Sequence, residues 1–242
     1  MIRKAVLLIH GFAGGNYDFG NLNNDIQIYS DIDVFTFTLP GHDKLIVSNV
    51  TKEDWINRSE EQLKNIINNN YDEIYIIGHS MGGVIATYLA SKYKEVTKLI
   101  LAAPAFEFFK FKDNKISLKN AINSFPLFHN YKLKEILSRI LRMPIRTVKE
   151  FSNLINKYGK NIKNVTCPTL IIYGKDDKIV PYAAIEYVYN NISSKSITLY
   201  TIKDVNHNIF TGKRYEEIKN IIINFLKDKK YSNLKIKKDL ND

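Results

Sequence analysis

The stretch Gly78-His79-Ser80-Met81-Gly82-Gly83 sets a serine between an apolar run and a helix-like run, with a glycine two positions away on either side. A strand that turns directly into a helix at Ser80 forces strained backbone angles there. Side chains two residues away would collide, and Gly78 and Gly82 remove those collisions. The helix beginning near Met81 offers free N–H groups and the positive end of its dipole beside the hydroxyl, where an oxyanion can be held. A glycine-rich strand-to-helix turn alone also suits a phosphate, so the motif needs partners before it signifies a nucleophile. A serine hydroxyl is weak at neutral pH and requires a base oriented by an acid. Among five histidines, His207 in VNHNIF follows the last apolar run and so returns to the sheet edge that carries Ser80. The adjacent acids Asp176 and Asp177 in LIIYGKDDKIVP follow an earlier run, which gives the chain order serine, acid, histidine. His10 and His42 sit in glycine-flanked loops and are read as bonding backbone. His79 is read as packing, and His129 falls in an insertion.

Those residues must be positioned by the elements around them. Short apolar runs at Ala5–Ile9, Val34–Thr38, Ile74–Ile77, Leu99–Ala102, Leu170–Tyr173 and Ile197–Tyr200 read as strands buried on both faces. They alternate with helical patterns at Lys52–Asn69, Gly83–Tyr93, Tyr182–Asn190 and Arg214–Lys227. Thr51, three residues before Asp54, suits a helix N-cap, and Pro181 suits a helix start. The fold class that follows is α/β: a mainly parallel sheet flanked by helices, with ligand sites at the carboxyl ends of the strands. The alternation fails over about 105–160, an aromatic- and lysine-rich insertion with helical patterns near Leu133–Leu141 and Thr147–Tyr158. It reads as a small helical cap within a single domain spanning 1–242.

The 242 residues, 45% of them hydrophobic, are enough for one sizeable core. The net charge of +10 comes from lysines spread along the chain, without an arginine-rich helix or aromatic platform, and nucleic acid is not an expected partner. The basic segment at about 229–242 reads as a solvated tail. No apolar run reaches membrane-spanning length and no leader pattern opens the chain, so a soluble cytoplasmic protein without stable membrane insertion is expected. The single cysteine, Cys167, reads as structural. No spacing supplies a carboxylate or histidine cluster, and neither metal nor cofactor is expected.

Taken together, VLLIHGFAGG, LPGHD, GHSMGG, PTLIIYGKDDKIVP and the Asn-His pair resemble the α/β-hydrolases, in particular small bacterial carboxylesterases related to monoacylglycerol lipases. The resemblance covers nearly the whole chain apart from its C-terminal tail. It implies a serine esterase with the triad Ser80, Asp177 and His207, since the family's G-x-x-D-x-[IV]-V-P setting falls on Asp177 rather than Asp176. It also implies that the backbone N–H of Phe12, in HGF, joins that of Met81 in an oxyanion hole, and that the insertion forms a lid over an acyl pocket. The expected substrate is a small ester with an apolar acyl group of short to medium length. A monoacylglycerol lipase or lysophospholipase, an amidase or peptidase on the same fold, and a non-catalytic binder are the alternatives. Asn206 stands where the family commonly has glycine before its histidine.

Overall fold

The structure, a computed structural model, describes residues 2–43, 47, 49–106, 144–228 and 234–241. The apolar runs become strands of one seven-stranded sheet in the order β2-β1-β3-β4-β5-β6-β7, every neighbouring pair parallel. The strands are β1 (Lys4–Ile9), β2 (Asp33–Thr36), β3 (Glu73–His79), β4 (Val96–Ala102), β5 (Thr169–Gly174), β6 (Ile197–Ile202) and β7 (Lys235–Leu240). Helices α1 (Leu22–Ser30), α2 (Lys52–Asn68), α3 (Met81–Lys92), α4 (Ile145–Tyr158), α5 (Tyr182–Asn191) and α6 (Tyr215–Lys227) cover the two faces. Successive residues of a strand point to opposite faces. Accordingly Leu7, Ile76 and Ile171 pack with α2, α3, α4 and α5, whereas Leu8, Ile77 and Ile172 pack with α1 and α6.

The chain runs from β1 outward to β2 and then crosses back to β3, so β1 and β3 are neighbours across a reversal of winding. Such a switch point opens a crevice at the carboxyl ends of the strands, where loops from both directions diverge. The loop at His10–Phe12 leaves β1 there and Ser80 leaves β3 there.

Local signals account for several boundaries. Thr51 and Asp54 form a reciprocal capping box at the start of α2, and Pro181 is the N-cap of α5. Lys98 lies inside the apolar run of β4, yet its ammonium group is buried. Its Nζ donates to the carbonyls of Phe225, Leu226 and Asp228 at 3.2, 2.5 and 3.0 Å, closing the C-terminal end of α6.

Two expectations change. The tail read as solvated contains β7, which pairs with β6 from Ile197↔Lys235 to Ile202↔Leu240. An edge strand needs only one neighbour and no buried inner face, and lysine is tolerated there, so β7 lacks the apolar run that marks the other strands. Lys237 and Lys238 lay their ammonium groups over the rings of Tyr189 and Tyr200, 4.8 and 5.1 Å from the centroids. The second change concerns the cap. Within about 105–160, α4 buries Phe151 and Leu154 in the same core as α2 and α3, so that part packs on the body. The Leu133–Leu141 pattern, His129 and the insertion's aromatics from Phe108 to Tyr131 lie outside the described residues. So does the tail at 229–233.

Candidate active site

Ser80 joins β3 to α3 at φ 54° and ψ −118°. Positive φ is costly for a residue with a Cβ and persists only where the surroundings over-determine it. Here they do: the Ser80 N–H donates to the Ala102 carbonyl at 3.0 Å. The Ser80 carbonyl in turn accepts the N–H groups of Gly83 and Ala105 at 3.0 and 3.1 Å. The flanking glycines are steric necessities. A Cβ on Gly78 would stand 2.4 Å from the Gly82 carbonyl oxygen, and one on Gly82 would stand 2.0 Å from that of Ile9.

Asp177 and His207, thirty residues apart, meet where the loops after β5 and β6 converge. His207 Nδ1 lies 2.8 Å from Asp177 Oδ2, and the other carboxylate oxygen accepts the N–H groups of Ile179 and Val180 at 2.7 and 2.9 Å. The Asp177 side chain is therefore buried and fully engaged, while its neighbour Asp176 is exposed and linked to Val205 only through its backbone N–H. Asn206 bends the histidine loop through its side chain, whose Oδ1 accepts the Asn208 N–H at 2.9 Å. An Asx turn of this kind supplies a tight turn without glycine.

On the β1 side, Met81 is the first residue of α3, so its N–H is one of the donors that a helix start leaves unpaired. Phe12 extends its ring into an aromatic group, stacked on Phe151 at 5.0 Å and edge-on to Trp55 at 5.9 Å. His10 and His42 shape the loops, as their glycine neighbours suggested. His10 donates from Nδ1 to the Gly11 carbonyl at 2.9 Å and accepts the Leu39 N–H on Nε2 at 3.0 Å; His42 Nδ1 lies 3.1 Å from the Pro40 carbonyl. Burial holds both rings neutral by lowering their pKa, that of His42 to about 4. Cys167 is not a competing nucleophile: burial pushes its thiol up to about 12.

His79 does more than pack. Its Nε2 lies 2.9 Å from the His207 carbonyl oxygen, and its Nδ1 lies 3.5 Å from Asp18 Oδ2. The same Asp18 oxygen accepts the Gly11 N–H at 3.1 Å. Sequence reasoning passed over Asp18. The signal available was the pair Gly14-Gly15 ahead of it, since a Cβ on Gly14 would stand 2.0 Å from Asp18 Oδ2. Among the described residues no three or more histidines, cysteines or carboxylates are grouped to hold a metal ion. Nor is any described helix long and apolar enough to cross a membrane.

A family model described as alpha/beta hydrolase fold matches residues 4–131. A second, described as serine aminopeptidase S33, matches residues 130–214. A carboxylesterase of Bacillus subtilis (strain 168) is 22% identical over 239 residues, 92% of each chain. A solved structure from the metagenome-derived lipolytic enzymes LipS and LipT superposes with a TM-score of 0.73 at 20% identity, covering 93% of both chains. The monoacylglycerol lipase of Paleococcus ferrophilus superposes with a TM-score of 0.69 at 16% identity, covering 92% of this chain and 93% of that one. The likeness to both structures is one of fold.

Proposed function

Because the chain belongs to the α/β-hydrolase family, we propose that it is a serine ester hydrolase acting on small carboxylic esters with short to medium apolar acyl groups. The observation that carries this reading is the buried 2.8 Å contact between His207 Nδ1 and Asp177 Oδ2, on loops beside an elbow that holds Ser80 at positive φ. With Nδ1 donating to the carboxylate, Nε2 of His207 is the free base. It takes the Ser80 hydroxyl proton as Oγ bonds to the ester carbonyl carbon. The Phe12 and Met81 amides hold the oxyanion that forms, each donor contributing about 3 kcal/mol. Collapse of this intermediate breaks the bond to the alkoxy group, which leaves as alcohol with the proton from His207. A water that gives its proton to His207 then attacks the acyl-Ser80 ester. Return of that proton to Oγ releases the acid and free enzyme. The partly exposed ring of Phe12, backed by the buried rings of Trp55 and Phe151, supports an apolar acyl group next to the oxyanion loop.

A p-nitrophenyl ester series of graded acyl length, run beside Ser80→Ala, tests this. The wild-type protein should turn over the short and medium esters, and Ser80→Ala should lose on the order of a millionfold in kcat. Near-wild-type turnover by the variant would sink the proposal. Rates that climb with chain length and collapse on acetate would move the reading to a monoacylglycerol lipase or lysophospholipase. The serine aminopeptidase match makes an amidase the second reading, and faster cleavage of matched p-nitroanilides than of the esters would select it.

A further inference from the structure

A buried histidine and a part-buried aspartate beside the elbow take no part in the chemistry above. His79 precedes the nucleophile and Asp18 ends the loop that follows β1. We propose that they form a carboxylate–imidazolium latch that locks the oxyanion loop to the loop carrying His207. Its purpose rests on the ester-hydrolase reading; its existence does not.

The proton count comes from the acceptors. His79 Nε2 faces the His207 carbonyl oxygen at 2.9 Å, and a carbonyl can only accept, so this nitrogen carries hydrogen. Nδ1 faces Asp18 Oδ2 at 3.5 Å, where a lone pair set against a carboxylate would be repulsive. Protonation of Nδ1 turns that repulsion into an ion pair, so the position favours the cationic form of His79. Burial opposes that charge, but Asp18 outweighs it, so the His79 pKa is raised. Burial likewise favours a neutral Asp18, yet the pairing with His79 keeps it a carboxylate. Of the groups facing His79, Asp18, the His207 carbonyl and Asp177 favour the charge, and the rings of His10 and His207 would oppose it only when protonated. The Phe210 ring lies edge-on at 5.8 Å and carries none.

The latch has two jaws. Asp18 Oδ2 also accepts the Gly11 N–H at 3.1 Å, one residue before the proposed oxyanion donor Phe12. His79, for its part, holds the backbone of the proposed base. The loop is wrapped so closely on the pair that a Cβ on Gly14 would stand 2.0 Å from Asp18 Oδ2, and one on Gly11 would stand 3.4 Å from His79 Nδ1 and 3.0 Å from Ser80 Cβ. Gly14 of HGFAGG thus admits the Asp18 carboxylate. Because imidazolium and carboxylate cancel, the pair fixes both loops without placing a net charge beside the ring of His207, 5.0 Å away. Neither His79 nor Asp18 is given a contact with substrate, so both are positioning residues.

NMR of the full chain with 15N-labelled histidine reads the pair directly, with His79→Gln identifying its resonances. The His79 titration midpoint should lie above that of an ordinary imidazole in the wild-type protein and should fall in Asp18→Asn. With a p-nitrophenyl ester, Asp18→Asn should lower kcat by about ten- to a hundredfold with KM held within about twofold, as expected of misplaced reacting groups. Gly14→Ala, which displaces the carboxylate without removing it, should reproduce that loss. A wild-type His79 midpoint at or below that of an ordinary imidazole, or full turnover in both variants, overturns the proposal. If the wild-type chain hydrolyses no ester, the functional reading fails while the spectrum still decides the pair. If Asp18→Asn does not fold, the wild-type spectrum and Gly14→Ala decide.

Discussion

Neighbouring residues with identical side chains can have unrelated fates, and Asp176 and Asp177 illustrate why. The turn after β5 sends one side chain outward and the other inward. Only the inward carboxylate finds three donors: the ring of His207 and the N–H groups of Ile179 and Val180. A buried carboxylate is tolerable when its lone pairs are taken in this way. The consequence is asymmetric sensitivity. Asp177→Asn should lower kcat for a p-nitrophenyl ester by about 10⁴-fold, because an amide no longer selects the tautomer or supports the charged imidazole. Asp176→Asn should stay within about twofold, provided circular dichroism shows both variants folded. A larger loss for Asp176 would transfer the acid's role to it.

At the scale of elements, the decisive contact is α3 against the end of the sheet. The helix begins one residue after the strained serine and is buried along its first seven residues, from Met81 to Thr87. Its approach is so close that the Gly82 Cα faces the carbonyls of Ile9 and His10, and an added Cβ would stand 2.0 and 2.6 Å from those oxygens. Backbone atoms cannot swing aside as a side chain can, so Gly82→Ala must push helix and strand apart. The expected cost is about 3 kcal/mol or more, a fall in Tm of roughly 6–12 °C for a chain of this size. Gly212→Ala is the control: nothing lies within 4 Å of its added Cβ, and its Tm should be unchanged. Equal melting of the two variants would show that the helix can retreat without cost.

The whole molecule is bounded at one side by β7, whose charged face tolerates water while its backbone covers β6. Its contribution runs through the parallel ladder, the Lys203 N–H to the Leu240 carbonyl at 3.0 Å, and the ion pair between Lys175 and Asp239 at 2.5 Å. Truncation after Asp228 would leave the N–H and C=O groups of β6 as an open edge. Such an edge recruits other chains, so the shortened protein should melt lower than the full chain and scatter light increasingly with concentration. Unchanged melting and a monodisperse solution would mean that β7 neither stabilises nor shields the sheet. The amino-acid sequence by itself determined the parallel α/β architecture and the elbow at Ser80. Buried strands need continuous apolar runs, and a strand-to-helix turn at serine needs Gly78 and Gly82, so both leave marks confined to a few adjacent positions. It also marked the capping box at Thr51 and Asp54, which is local for the same reason. The choice of Asp177 over Asp176 was legible too, through the G-x-x-D-x-[IV]-V-P setting, but only the tertiary structure decided that His79 joins Asp18 across sixty-one residues of chain, that Lys98 closes α6, and that the lysine-rich end is a strand. Each of these depends on a partner far away in sequence. A carboxylate, an imidazole or an ammonium group takes its role from the donors and acceptors that folding brings within about 3 Å of it, and that distance is set by the packing of the sheet rather than by neighbouring residues.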